Sequence, residues 1–115
     1  MDVGTIAIYL SGGTPLVARC DEAAGGLTFV PALNADALAK SAVLRSGGPA
    51  ENVLMPATVI DRVSKGMAIY GDESFGPVVA IIRVRDEEDA VRVANDSDYG
   101  LSAAVFGGDI ARAFN

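Results

Sequence analysis

Val78-Val79-Ala80-Ile81-Ile82-Arg83-Val84, followed by Arg85-Asp86-Glu87-Glu88-Asp89-Ala90-Val91-Arg92-Val93-Ala94-Asn95, decides the fold. The first half opens on a continuous apolar run rich in β-branched residues, as expected of a strand covered on both faces. The second half switches to a helix over 87–95. Asp86 is its N-cap, Asp89 sits at the third helical position as a capping-box variant, and Glu87 and Glu88 face the positive end of the helix dipole. Ala90, Val91 and Ala94 supply a narrow apolar stripe. A polar turn then ends at Gly100, Leu101 to Phe106 reads as a second strand, and Asp109 is placed to cap a helix from Ile110. Strand, helix, strand, helix is an α/β order, and its βαβ unit calls for parallel strands with a right-handed crossover.

Working upstream, Leu54 to Val63 reads as extended chain around Pro56, with Val59, Ile60 and Val63 as its β-branched residues. Residues 35–45 read as a helix. Asn34 is the expected N-cap, Asp36 lies in the first turn, and Ala35, Leu38, Ala39 and Ala42 follow the spacing of one helical face. Gly47-Gly48-Pro49 stops it. Residues 1–30 form a divergent segment set apart from 31–115. Val3 to Leu10 is compatible with a buried strand, Gly12, Gly13 and Pro15 mark a turn, and Leu27 to Val30 is compatible with a short strand.

The chain has 115 residues, half of them hydrophobic, with low aromatic content and no Trp. One domain of this size buries roughly two-thirds of its unfolded surface, and the core must come from Val, Ala, Leu and Ile. Nine Lys and Arg against fifteen Asp and Glu give a net charge of −6. The basic residues do not cluster, so there is no footprint for a phosphate backbone, and nucleic acid is not an expected partner. The acidic excess serves solubility. The absence of His excludes a Ser-His triad, a Cys-His dyad and imidazole metal sites within this chain. Cys20 is the sole cysteine, so no intrachain disulfide forms, and a reducing cytoplasm is compatible. The apolar run Ile6 to Leu10 is too short to span a bilayer, and no early basic residue marks a secretory signal, so no membrane association is expected.

Several constellations invite chemistry and have plainer readings. Asp86-Glu87-Glu88-Asp89 is a helix start whose carboxylates fan around the axis, so no metal site is expected. Cys20 lies beside Asp21 and Glu22, which oppose thiolate formation, while Arg19 pulls the other way; it is not expected to be a nucleophile. The glycine pairs at 12–13, 25–26, 47–48 and 107–108 fit neither phosphate-loop pattern and read as turns. Gly76-Pro77 makes a rigid turn before the buried strand, which sets Glu73 and Phe75 at a strand edge, where ligands commonly meet α/β sheets. On spacing alone that pair reads as turn and core.

Glu73-Ser74-Phe75-Gly76-Pro77-Val78, with Asn95-Asp96-Ser97-Asp98-Tyr99-Gly100-Leu101-Ser102-Ala103-Ala104-Val105-Phe106 seventeen residues beyond it, resembles the C-terminal part of the catalytic domain of the NAD(P)-dependent aldehyde dehydrogenases. The salicylaldehyde- and vanillin-type aromatic aldehyde dehydrogenases look most similar. The resemblance covers Leu54 to Phe114 well, including Leu54-Met55-Pro56-Ala57-Thr58-Val59, Met67 and Ile69, and extends weakly to Asp36-Ala37-Leu38-Ala39-Lys40. It implies a partial catalytic subdomain of α/β class. It also implies that Glu73 hydrogen-bonds the nicotinamide ribose hydroxyls of NAD or NADP and that Phe75 packs beside the nicotinamide. A carboxylate accepts from two vicinal hydroxyls, and an aromatic face covers a flat ring.

Nothing in the chain resembles the family's nucleophilic-cysteine segment, its general-base glutamate segment or its dinucleotide-binding half. Pro near Lys65 and basic residues near Gly71 and Gly108 are also missing, and the family's distal segments are not reached. The chemistry of the family runs through a thiohemiacetal at cysteine, hydride transfer and thioester hydrolysis, which require an activated thiolate, an oxyanion hole and a base. The expectation is therefore a piece of an oxidoreductase, inactive alone, with no catalytic residue of its own and an aldehyde substrate only in the intact enzyme. A second reading is a stand-alone binding or oligomerisation module, for which self-association is the protein contact it suggests. A third, a complete small enzyme using Cys20, Lys40 or Lys65, has the least support.

Overall fold

The structure is a computed structural model that describes residues 5–10, 16–21, 30–49, 51, 54–72, 77–100 and 102–115, with backbone only for 5–10, 16–21, 30 and 31. Its elements are β1 (Thr5–Leu10), β2 (Leu16–Asp21), α1 (Val30–Ala39), β3 (Val43–Ser46), β4 (Thr58–Asp61), α2 (Ala68–Gly71), β5 (Val78–Arg83), α3 (Glu87–Asn95), β6 (Ser102–Gly107) and α4 (Ile110–Ala113). The strands form one mixed sheet in the order β3-β4-β5-β2-β1-β6. β4 runs parallel to β5 and β1 parallel to β6, while β3, β2 and their neighbours pair antiparallel.

The expected α/β class and parallel β5-α3-β6 connection are present. Both flanking pairings of the β1–β2 hairpin are antiparallel or parallel in the sense that leaves β5 and β6 pointing the same way. The hairpin stands between them, and α3 packs over β2 and β1 as it crosses. The first thirty residues thus supply two strands, one of them a central strand that the sequence reading did not anticipate. The strand expected over 27–30 falls largely outside the described residues, and its last residue, Val30, opens α1.

β5 buries Val78, Ala80 and Ile82 completely on one face and leaves Val79 and Ile81 half-buried on the other. The continuous apolar run therefore marks one dry face and one partly covered face. Around it gather Leu33, Ala37, Ala42, Ile60, Val63, Met67, Ile69, Tyr70, Ala90 and Val93.

α3 spans the expected residues, and Asp86 Oδ1 accepts from the Asp89 amide at 2.8 Å. Its buried stripe is Ala90 and Val93, with Ala94 packed beside it, while Val91 is exposed. A step of one residue turns a helix by about 100°, so Ala90 and Val91 cannot share a narrow face. Asp109 caps α4 by accepting from the Arg112 amide at 3.2 Å, as its position predicts.

The helix expected over 35–45 begins and ends earlier. α1 starts at Val30, with Pro31 in a first turn that has no amide to satisfy. Asn34 is buried inside the helix rather than capping it. The buried face is Leu33, Asn34 and Ala37, and Ala35, Leu38 and Ala39 are exposed. The helix closes in a Schellman motif. Ser41 takes a left-handed φ of 77, its amide bonds Leu38 O at 3.3 Å, and the Ala42 amide reaches Ala37 O at 3.0 Å. Val43 to Ser46 then forms β3, where the helix had been expected to continue. Gly47, at φ 86, lies against β4 so closely that a Cβ would stand 2.6 Å from Ala57 O and 2.7 Å from Thr58 Cα.

Candidate cofactor-facing site

Glu73, Ser74, Phe75 and Gly76 lie outside the described residues; Asp72 and Pro77 bracket them. On the exit side, β5 begins at Val78 opposite Thr58 of β4, and the Thr58 amide donates to Pro77 O at 2.8 Å. Thr58 itself is buried, with its hydroxyl turned onto Pro56 O at 2.8 Å. On the entry side stands α2, closed by the Asp72 amide on Ala68 O at 2.9 Å. Asp72 and Pro77, which bracket the segment, are both exposed.

So short a helix is not stable alone and depends on its contacts. Two side chains from elsewhere hold it. Asp36 of α1 accepts the Ala68 amide on Oδ2 at 2.8 Å and pairs Lys40 on Oδ1 at 2.7 Å. That amide, and then Lys40, hold the Asp36 carboxyl below the ordinary carboxylate value. Asp96, just past the end of α3, takes the Lys65 ammonium at 2.9 Å and the Tyr70 hydroxyl at 2.8 Å on the same oxygen. Lys65 first and Tyr70 second lower the Asp96 carboxyl in turn. Tyr70 is buried with 7% of its surface exposed, so its hydroxyl needs such a partner. Lys40 and Lys65 are thereby both engaged in ion pairs with carboxylates.

The segment 73–76 enters β5 at its amino end, whereas the ligand crevice of open α/β sheets lies outside the carboxyl ends of the strands. The carboxyl ends of β4 and β5 carry instead a charge cluster that no motif signalled. Asp61, 1% exposed, lies between Arg83 and Arg45 and also accepts the Arg62 amide at 2.7 Å. Arg83 above all, with Arg45 and the Arg62 amide, draws the Asp61 carboxyl down to about 2. This is a neutralised structural group, satisfied on both oxygens.

Three of the four acidic residues at 86–89 make described contacts. Asp86 caps, Glu87 pairs with Arg112, and Asp89 turns inward to Arg92 and Arg85. Among the described residues, no group of three or more His, Cys, Asp or Glu side chains converges as a metal site would, and no helix is long and apolar enough to cross a membrane. Cys20 lies on β2, its backbone opposite Thr5 and Val79.

Comparison with known proteins places these features in a family. The model of the aldehyde dehydrogenase family matches residues 25–115. The salicylaldehyde dehydrogenase of Pseudomonas sp. (strain C18) is 54% identical over 78 residues, which are 68% of this chain and 16% of that protein. The vanillin dehydrogenase of Pseudomonas fluorescens is 45% identical over 93 residues, 81% of this chain and 19% of that protein. Among solved structures, the NADP-dependent glyceraldehyde-3-phosphate dehydrogenase from Bacillus halodurans C-125, complexed with NADP, superimposes with a TM-score of 0.72 at 42% identity over 76% of this chain and 18% of that one. The chain thus spans less than a fifth of the length of these relatives. With the family model matched from residue 25 to residue 115, the two motifs and the sheet around them show that the chain belongs to the aldehyde dehydrogenase family.

Proposed function

We propose that this chain forms part of the nicotinamide-facing wall of an NAD(P)-dependent oxidoreductase acting on aromatic aldehydes, and that it does not oxidise aldehydes by itself. One observation carries the reading. The Glu73–Val78 segment falls inside the stretch matched by the family model, and its described flanks are fixed by α2 on one side and β4 on the other. The relatives named for salicylaldehyde and vanillin support the aromatic substrate class.

The residues present suit a nicotinamide nucleotide. The Glu73 carboxylate is an acceptor matched to two vicinal ribose hydroxyls, and Phe75 offers a face that covers the ring and excludes water. The exposed flanks Asp72 and Pro77 suit a segment that meets a ligand arriving from solvent. When bound, the nicotinamide supplies the hydride acceptor. The nucleophile and the base are assigned to parts of the relatives that this chain does not match. A lone thiol at Cys20 fits a reducing cytoplasm.

Titration of the isotopically labelled chain with NAD, followed by two-dimensional amide NMR, tests this. Shifts clustered at 72–76 that vanish in Glu73→Ala are expected, with no NAD-dependent oxidation of benzaldehyde or salicylaldehyde. Shifts that survive Glu73→Ala, or turnover by the chain alone, overturn it.

A second reading, a stand-alone binding or oligomerisation module, has one observation in its favour. The β1–β2 hairpin fills the sheet between β5 and β6 and so provides contacts of its own. A monodisperse, well-dispersed chain whose spectrum ignores NAD is the outcome that selects it.

A further inference from the structure

The carboxyl ends of the parallel strands β4 and β5 are where open α/β sheets meet ligands, and three arginines gather there about one buried carboxylate. We propose that Arg45 and Arg83, with Arg62 beside them, form a binding site for a phosphate group carrying two negative charges, free or as the monoester of a small molecule. None of these residues takes part in the cofactor contacts assigned above.

Arg83 closes β5 and covers Asp61 by itself. Its Nε donates to Oδ1 at 3.1 Å and its Nη2 to Oδ2 at 2.7 Å, the fork of a complete guanidinium–carboxylate pair. The Arg62 amide adds a bond to Oδ1 at 2.7 Å. Neutralising Asp61 therefore needs no second guanidinium. Arg45 nonetheless lies at the irregularity between Leu44 and Ser46, where the β3–β4 register shifts, and brings both Nε and Nη2 to 3.0 Å from Oδ2. The two Nη2 atoms share one oxygen, so they stand less than about 6 Å apart, within reach of two oxygens of one phosphate.

Asp61 engages only Nε and Nη2 of each guanidinium, which leaves Nη1 and the outer Nη2 hydrogen of both directed away from it. Among the described residues neither guanidinium bonds a second acceptor, and the two side chains are 52% and 36% exposed above a buried aspartate. Arg85, two residues beyond, is turned to Asp89 instead. Arg45, Arg62 and Arg83 against Asp61 leave an excess of two positive charges in a chain of net charge −6. A planar carboxylate is satisfied by one fork, whereas a tetrahedral phosphate presents oxygens to two guanidiniums at once. The buried carboxylate thus holds two forks in place before any ligand arrives, so little side-chain freedom is lost on binding.

The test titrates the full labelled chain with inorganic phosphate, glycerol phosphate and acetate at constant ionic strength, and follows the backbone amides and the Nε–H signals of Arg45 and Arg83. Saturable shifts at Arg62 and at both Nε–H groups are expected with phosphate, with acetate at least about tenfold weaker. Tighter binding of glycerol phosphate identifies a small phosphomonoester as the ligand, and tighter binding of inorganic phosphate identifies the free ion. Arg45→Lys keeps the charge and loses the fork; it is expected to weaken phosphate binding about tenfold. Arg62→Gln, at an exposed side chain, is expected to weaken it about threefold. Arg112→Gln, which removes a charge beyond β6 at the opposite edge of the sheet, should leave it unchanged. Shifts that do not saturate, shifts that acetate reproduces at equal concentration, or an affinity that Arg45→Lys and Arg62→Gln lower no more than Arg112→Gln does, overturn the proposal.

Discussion

Asp61 shows how one buried charge is made tolerable. An isolated carboxylate in this position would cost several kcal/mol in lost hydration. Two guanidiniums and a backbone amide satisfy both oxygens, and both arginines keep part of their surface in water. Because its folded value of about 2 lies below the ordinary 3.8, its contribution is complete above pH 4 and is lost as pH falls toward 2. Asp61→Asn should therefore flatten the pH dependence of stability across that window, measured by urea unfolding at a series of pH values. At neutral pH it should cost about 2 kcal/mol, less than a fully enclosed pair would, since Arg45 and Arg83 can rehydrate. An unchanged acid limb would show that Asp36, Asp89 and Asp96 carry the effect instead. Asp86 and Asp109 were legible as caps because a cap is written within four residues of its helix. Asp61 was not, since its partners come from Arg45 and Arg83 on two other strands.

At the scale of elements, boundaries follow the same division between local and distant causes. α3 has a capping aspartate and acidic residues in its first turn, and these local cues agree with its tertiary setting; of the expected stripe, Ala90 is buried, Ala94 packs beside the core and Val91 is exposed, with Val93 taking its place. α1 lacks them. Its start at Val30 falls where a short strand was expected, and its end is a serine where a glycine would announce the left-handed residue of a Schellman motif. Ala42, seven residues after Ala35, then carries the helical pattern past that end toward β3. The strained serine makes a prediction. A left-handed non-glycine residue costs about 1 kcal/mol, and glycine relieves it at some expense in unfolded-chain entropy. Ser41→Gly should stabilise the fold by about 0.5 kcal/mol in chemical denaturation. Destabilisation would mean that the Ala42–Ala37 closure does not persist in solution.

Over the whole molecule, the order of the strands separates sequence from structure as much as the unforeseen β2 and β3 do. Strand β5, helix α3, strand β6 and their shared direction follow from residues 78–107 alone. That β2 and β1 lie between the two strands does not, because a pairing such as Ala18 with Ile81 joins segments whose periodicities are silent about each other. The placement has a consequence for stability. β2 is hydrogen-bonded on both sides, to β1 through Ala7↔Ala18 and to β5 through Ala18↔Ile81. Proline is excluded from such a central position, since it removes a ladder donor and its ring crowds the adjoining strand. Ala18→Pro should therefore cost at least about 3 kcal/mol and broaden or abolish the cooperative unfolding transition followed by circular dichroism. It should also remove hydrogen-exchange protection from β6, which within the described sheet reaches β5 through β1 and β2, before protection is lost from β4 and β5, which keep their direct parallel pairing. If β6 stays protected in Ala18→Pro, β5 and β6 close on each other without the first thirty residues, and the sheet belongs wholly to the part that the family model matches.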